Sequence, residues 1–323
     1  MSGSGLDAAR SEPVVGLSGS DTSSQTGGRW YAVVLHWGRT EDTARCVLSL
    51  DTLGFQKVLV VDNGTGAREL DDLAASRPAL QLIRNAENRG YGAGNNVGLR
   101  AACEDGAEFV AVVNNDAVVE YPAMLSDAES AFRACASIGV LSPPVFFQRH
   151  GWVEQPVDAR LHRALLSQAA EGGPRPAFPG SVVPTSTFAG CCWMAPAAIV
   201  AKVGPLREDL FLYDEELEYS VRLRRAGLFC GRVGRGHGRL LHWGGTARGH
   251  SPEQAYFCGR NVVLLLEGFS RRARRRLLPV ALATVARMVV RSLGSWQWQS
   301  AWEALHGLAD GFRGRRGKRS LTA

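Results

Sequence analysis

The chain has 323 residues, of which 45% are hydrophobic, 21% charged and 8% aromatic; that supplies a sizeable core, in one large domain or two small ones, and excludes a disordered chain, a fibrous repeat or a solenoid. Seven cysteines with no CxxC pair are too few for a disulfide scaffold and argue against structural zinc, so a reduced, cytoplasmic compartment is expected. The formal charge of +6 is uneven: Arg271 to Ala323 holds 12 basic and 2 acidic residues and the remainder 25 and 29, so a mildly acidic body carries a strongly basic tail suited to an anionic partner.

Residues 1–28 are Ser/Gly-rich without the apolar run of a signal peptide, and are expected to be a disordered leader. Trp30 to His36 (WYAVVLH) reads as a strand, Thr40 to Leu53 as a helix, and Lys57 to Val61 (KVLVV) as a second strand stopped by the turn residues Asp62-Asn63-Gly64. Residues 67–75 look helical, Leu80 to Arg84 is a third strand, and Tyr91 to Cys103 is a helix entered from a glycine-rich loop. Phe109 to Val113 (FVAVV) is a fourth strand, ending at Asn114-Asn115-Asp116. Strands alternating with helices imply parallel βαβ units, whose ligands sit at the carboxyl ends of the strands. His36, Asp62 and Asp116 lie at those ends.

Beyond this point the pattern loosens. Residues 143–185, rich in Pro, Gly and Arg, read as a long, partly mobile connection. Thr187 to Met194 is a strand candidate, Pro196 to Val203 a short helix begun by proline, and residues 214–226 a helix with acids at its start, arginines at its end and Gly227 as its stop. Leu228 to Val233 is a strand. From about Pro252 to Gly311 two or three helices are expected. No apolar stretch reaches bilayer length: the best, Leu277 to Val290, contains Pro279 and Arg287.

Several constellations are candidates for chemistry. NRGYGAGNNVG, Asn88 to Gly98, precedes a helix but fails the dinucleotide GxGxxG spacing, because the third glycine position is Asn95 or Val97. It is either a tight packing loop or a loop that brings backbone close to a nucleotide. Asp116 at a strand end is either an Asx turn or an oxygen ligand for a divalent cation whose shell a diphosphate completes. In FLYDEELEYSVR, Phe211 to Arg222, one glutamate is a candidate general base, while Glu218 and Arg222 are spaced to pair. His242, before two glycines, is a candidate for metal or phosphate.

In this order the motifs resemble the family 2 glycosyltransferases of GT-A fold, in particular the rhamnosyltransferase-like subgroup, over about residues 30–312. VVLHWGR matches the family's opening strand, with His36 in place of the usual asparagine. VVDNGT, NRGYGAGNNVGLRAA and VVNNDAVV match the nucleotide and metal motifs. GCCWMAPAAIVAKVGPLREDLFLYDEELEYSVRLRRAG matches the acceptor-side block, whose usual Glu-Asp-x-Asp is here Glu215-Glu216-Leu217-Glu218. The resemblance implies an α/β, Rossmann-like GT-A catalytic domain over 29–250 and a helical basic extension over 251–323. It implies an inverting transfer from a nucleotide-diphosphate sugar to a hydroxyl of a saccharide, lipid-linked or natural-product acceptor, with Mg²⁺ or Mn²⁺ held by Asp116 and His242. It assigns donor binding to His36, Asp62, Asn88, Gly92, Asn95, Asn115 and Asp116, and the base to Glu216, with Glu215 as the alternative. Residues 143–185 and 245–252 are lid candidates.

Two other classes remain open at this stage. One is a nucleotide-sugar-binding protein without catalysis, against which the acid-rich helix argues. The other is a nucleic-acid-binding protein using the tail, for which the body has no motif. For residues 271–319, arginines and tryptophans beside an apolar helix suit peripheral contact with the inner face of a membrane. The alternative is packing of these helices on the body, the commoner fate of aromatics.

Overall fold

The computed structural model describes residues 27–147, 153–154, 160–169, 177–234, 238–242 and 251–319. Most of the expected leader and the 245–252 lid candidate, apart from its last two residues, lie outside them, as does part of the 143–185 connection. In chain order the elements are β1 (Trp30–His36), α1 (Thr40–Leu50), β2 (Lys57–Asp62), α2 (Glu69–Ala75), β3 (Leu80–Arg84), α3 (Gly90–Glu104), β4 (Phe109–Asn114), β5 (Ala117–Glu120), α4 (Met124–Ala134), β6 (Ile138–Ser142), β7 (Val145–Phe147) and β8 (Val153–Glu154). There follow α5 (Arg160–Ala169), β9 (Val182–Thr185), β10 (Cys192–Pro196), α6 (Ala197–Val203), α7 (Glu215–Arg225), β11 (Phe229–Val233), β12 (Arg239–His242), α8 (Pro252–Leu264), α9 (Arg271–Gly294) and α10 (Trp298–Phe312).

The main sheet has eight strands in the order β3-β2-β1-β4-β10-β6-β11-β9. The first four are parallel, and their register sets His36 beside Asp62, Asp62 beside Arg84, and Leu35 beside Asn114. The polar groups read at the strand ends therefore share one edge. β10 runs antiparallel to β4, with Cys192 opposite Val113. A smaller sheet, β5-β12-β7-β8, pairs His242 with Ala117.

Alternation along β1 separates two cores. Trp30, Ala32 and Val34 pack with Cys46 and Leu50 of α1, Leu70 of α2 and Met124 of α4. Tyr31 and Val33 pack with Leu99 of α3, Val200 of α6 and Tyr219 and Leu223 of α7. Helices thus cover both faces, as a buried parallel sheet requires. α3 lies close: a Cβ on Gly98 would meet Val33 Cγ1 at 2.4 Å. A third core joins α5, α7, α8, α9 and α10 through Leu165, Leu217, Val221, Val262, Ala281 and Ala304.

Three expectations are corrected. The strand expected at 187–194 begins only at Cys192, because Ala189–Cys191 form the turn that delivers it and Cys192 N–H bonds back to Ala189 O at 3.2 Å. The 143–185 connection contains β7, β8, α5 and β9; the apolar face of α5, with Leu161, Leu165 and Leu166 buried, was obscured by flanking Arg, His and Gln residues. And α9, one continuous helix of 24 residues through Pro279, is by length and composition long and apolar enough to cross a membrane.

Candidate functional site

At the edge shared by β1, β2 and β3, Asp62 is buried and saturated. Its carboxylate accepts from Thr65 N–H at 2.9 Å, Thr65 Oγ1 at 2.7 Å, Gly66 N–H at 3.1 Å and Arg84 Nη1 at 2.5 Å. Burial alone would raise its pKa, but the Thr65 and Gly66 donors and the Arg84 charge together hold it below the usual carboxylate range. Asn63 ties this edge to the glycine loop: its Nδ2 donates to Asn88 Oδ1 at 3.0 Å, and its Oδ1 accepts from Asn85 Nδ2 and Arg89 N–H, both at 3.1 Å. Asn88 Oδ1 also accepts from Gly90 N–H at 2.8 Å. Asp62 and Asn88 thus shape the loop. His36 is fully buried, its Nδ1 2.7 Å from Thr43 Oγ1. Burial lowers its pKa and Asp62 only partly offsets that, which keeps the ring neutral. Asn115 donates to Trp37 O at 3.2 Å and Thr43 Oγ1 at 3.1 Å.

The β5–β12 pairing brings Asp116 Oδ1 to 3.0 Å from His242 Nε2. Residues far apart in sequence and both selected from it therefore meet. No cluster of three or more Asp, Glu, His and Cys side chains suited to a metal occurs among the described residues. One carboxylate and one imidazole nevertheless suit a divalent cation that takes its remaining oxygens from a diphosphate and water.

The acidic helix start lies nearby. Gly90 has φ +83°, and a Cβ there would meet Phe211 O at 2.2 Å, so the loop docks backbone to backbone on the 211–214 turn. Tyr91 N–H completes that contact by donating to Phe211 O at 2.7 Å. The turn itself is strained: Phe211, Tyr213 and Asp214 all have positive φ, at 64°, 68° and 69°. α8 clamps it. Buried Asn261 donates through Nδ2 to Leu212 O and Tyr213 O, both at 2.9 Å, and buried Arg260 donates to Leu210 O at 2.5 Å and Gly317 O at 2.6 Å.

Out of this turn come three consecutive acids. Burial, then the Glu216 charge, pushes Asp214 up to about 8. Glu215 is buried with Oε1 unpartnered, and burial followed by Glu216 and Asp214 raises its carboxyl well above the usual range. Glu216 is half-buried and is raised by burial. A Cβ on Gly190 would lie 3.7 Å from Glu216 Oε2, so this carboxylate faces the 189–191 turn. Asn114 N–H bonds Cys191 O at 2.8 Å, which fixes the same turn beside the Asp116 strand end. Burial and then the charges of Asp116 and Glu216 push the Cys191 thiol up. Asp116 and Glu216 therefore both lie near this turn. Tyr91 closes its floor by donating to Gly190 O at 2.5 Å.

Gly92 lets α3 approach Arg207 O, 2.9 Å from its would-be Cβ, and Glu215 Cγ at 3.6 Å. Asn95 is buried, with Nδ2 donating to Tyr91 O at 3.0 Å and Oδ1 unpartnered. Glu218 is held by Arg222 Nε at 2.9 and 3.0 Å, which removes it from chemistry. Sequence reasoning passed over Asn63, Tyr91 and the Arg260-Asn261 pair. The signal for the last was present: adjacent polar residues inside the apolar run YFCGRNVVLLL.

No family model matches the chain. It is 26% identical over 279 residues to the low-salt glycan biosynthesis hexosyltransferase Agl10 of Haloferax volcanii, across 82% of this chain and 85% of that protein. Among solved structures it resembles S. aureus TarS 1–349 at TM-score 0.52 and 15% identity, over 87% of this chain and 81% of that one. The same protein in complex with UDP superposes at TM-score 0.51 and 16% identity, over 79% and 70% of the two chains. GalNAc-T7 with UDP, GalNAc and Mn²⁺ superposes at 0.50 and 13% identity over 73% of this chain, which spans about half of that structure, 51%. The fold is GT-A. The edge where β1, β2 and β4 end and the 189–191 turn begins is then the part of that fold where this chain gathers its titratable groups.

Proposed function

We propose that this chain is an inverting, metal-dependent glycosyltransferase of family 2 type. It moves a hexosyl or deoxyhexosyl group from a nucleotide-diphosphate donor, UDP or dTDP, to a hydroxyl of a saccharide, lipid-linked or natural-product acceptor. The observation that carries this reading is that Glu216 and the Asp116–His242 pair both lie near the 189–191 turn. The hexosyltransferase relative and the UDP-bound structural neighbours support the donor class.

Asp116 and His242 would hold Mg²⁺ or Mn²⁺, which when bound neutralises charge gathering on the leaving diphosphate. Glu216 Oε2 accepts the proton of the acceptor hydroxyl as that oxygen attacks the anomeric carbon from the face opposite the diphosphate. The raised pKa of Glu216 makes it a stronger base than an exposed glutamate, which suits abstraction from an alcohol. One displacement inverts the anomeric centre, and a second carboxylate nucleophile is not needed. Glu215 is the more deeply buried of the two, and burial with the neighbouring Glu216 and Asp214 charges favours its neutral form. Asp62, Asn63, Asn85 and Asn88 keep the donor-side loop in shape.

The test is a thermal-shift screen with UDP, dTDP and GDP with and without Mn²⁺, followed by NMR assignment of the product anomer. A Mn²⁺-dependent shift with one nucleotide and an inverted anomer are expected. Retention of configuration, or identical shifts with and without Mn²⁺, overturns the reading.

A further inference from the structure

Helix α9 has two apolar faces. One, formed by Leu277, Ala281, Val285 and Met288, is buried against the third core. At 100° per residue, Pro279, Leu282, Ala286, Val290 and Leu293 fall almost opposite, and all five are exposed. Val290 is 69% exposed. Past the end of α9, Trp296 is 81% exposed and its ring meets that of Trp298 edge to face at 6.1 Å, and along α10 Trp298, Trp302, Leu305 and Phe312 are exposed. Those four recur at helical spacing, while Ala301 and Ala304 face the core. Isolated exposed apolar residues are ordinary, but two consecutive helices that each present a second apolar face form a patch that calls for a partner.

The charge distribution names the partner. Arginines of the terminal segment divide into two sets. Arg316 pairs with Glu267 at 2.7 Å and with Asp209, and Arg319 with Glu303 at 2.8 Å, so these hold the chain end to the body. Arg271, Arg272, Arg275, Arg276 and Arg291 are exposed and form no ion pair with the described residues. Arg272 and Arg275 extend the apolar stripe at its N-terminal end, and Arg271 and Arg276 flank it there. A stripe of aliphatic and tryptophan side chains bordered by arginines without an ion pair among the described residues matches the boundary between headgroups and acyl chains.

We propose that the exposed face of α9 and α10 docks the protein flat on an anionic lipid bilayer. Helix α9 does not cross it, because its inner face is already packed against α5 and the rest of the third core, and crossing would strip that face from the body. A second copy of this chain is the competing occupant, but the arginines at the N-terminal end of the stripe have no acidic counterpart on the stripe itself and are matched by anionic headgroups. The inference does not depend on the transfer reaction. It adds to that reading only that a lipid-linked acceptor would be met at the surface where the enzyme sits.

The test is co-sedimentation of the full chain with vesicles of phosphatidylcholine alone and of phosphatidylcholine mixed with phosphatidylglycerol, at low and high salt. Binding to the anionic vesicles at low salt is expected, weakened by salt and released by an alkaline carbonate wash. Changing Arg271, Arg272, Arg275 and Arg276 to Gln weakens binding by roughly fivefold per arginine at low salt. Val290→Asp, and Trp298→Ser with Trp302→Ser, weaken it at both salt concentrations while leaving the melting temperature unchanged, because these side chains are exposed. Absence of sedimentation with anionic vesicles at low salt overturns the proposal. So does retention after the carbonate wash, which means a spanning helix, or a soluble dimer that Val290→Asp dissociates, which means an interface between copies.

Discussion

At the scale of single residues, the three acids Asp214–Glu216 are the most informative group in the molecule. Folding brings them together at the N-terminus of α7, with Glu215 buried and Asp214 and Glu216 half-buried, and the helix dipole offsets only part of their mutual repulsion. Glu216→Gln keeps the shape and removes the carboxylate proposed as the base. It is expected to lower kcat by about 10²–10⁴-fold with donor affinity unchanged, whereas Glu215→Gln lowers it far less; steady-state kinetics and nucleotide titration check this. The larger loss in Glu215→Gln would exchange the two roles. Asp214 gives a pH prediction. Its pKa rises from 3.8 to about 8 on folding, so between those values the folded state holds a proton that the unfolded state has released. Stability from this group is then fully present at low pH and is lost as pH rises towards 8. Asp214→Asn suits the left-handed backbone at φ 69° and removes part of that loss, leaving the share due to Glu215 and Glu216. In urea unfolding across about pH 5 to about pH 9, the variant should gain on the wild type as pH rises. A constant difference between the two would refute the assignment.

At the scale of elements, what could be read from the sequence followed how local its physical cause is. β1, β2 and β4 are apolar runs buried on both faces, β3 is an edge strand bounded by turn residues, and the boundaries of all four are legible to within a residue. β5, β6 and β9 are short, and each owes its strand state to a partner distant in sequence: His242 for Ala117, Phe229 for Ile138, Cys230 for Thr185. No local pattern announces that. The same holds within the site. Asp116, Glu216 and His242 stand out in the sequence as candidates because carboxylates and histidines beside strand ends and helix starts do, and the fold brings Asp116 to His242. That Asp62 and Asn88 are engaged in loop scaffolding, and that Tyr91 supports Gly190, depends on contacts between elements. The clamp from α8 is the clearest case. Asn261 satisfies carbonyls of a turn that three positive φ values make costly, so Asn261→Ala leaves those acceptors short of donors. A loss of about 2–3 kcal/mol in stability is expected, with kcat reduced more than KM changes, because the turn aims Glu216 rather than binding donor. Calorimetry with steady-state kinetics separates this from a purely structural effect, which would lower the folded fraction without altering kcat per folded molecule.

At the scale of the whole molecule, the end of the chain reaches back to the site. Residues 313–319 follow α10 across the body, where Gly317 N–H donates to Asp209 O at 2.7 Å and Gly317 O accepts from Arg260. Arg316 joins Asp209 and Glu267, which are also the partners of Arg207. Arg207 in turn supplies the carbonyl that lies against Gly92. The network therefore runs from the C-terminal segment through Arg260 to the strained turn, and through Arg207 to the glycine loop, so both sides of the site rest on it. Exposed ion pairs singly contribute about 0–1 kcal/mol, but here truncation also removes Gly317 O, one of the acceptors of buried Arg260, a loss of the kind that costs about 1–3 kcal/mol. Ending the chain after Phe312 is accordingly expected to lower the melting temperature and to reduce kcat in the same direction as Asn261→Ala. Arg316→Ala, which removes only the exposed pairs, should do little to either. If the two changes act on the same turn, combining the truncation with Asn261→Ala will cost less than the sum of the separate losses. Full additivity in the double variant would show that the chain end and the turn are independent, and that the clamp stops at α8.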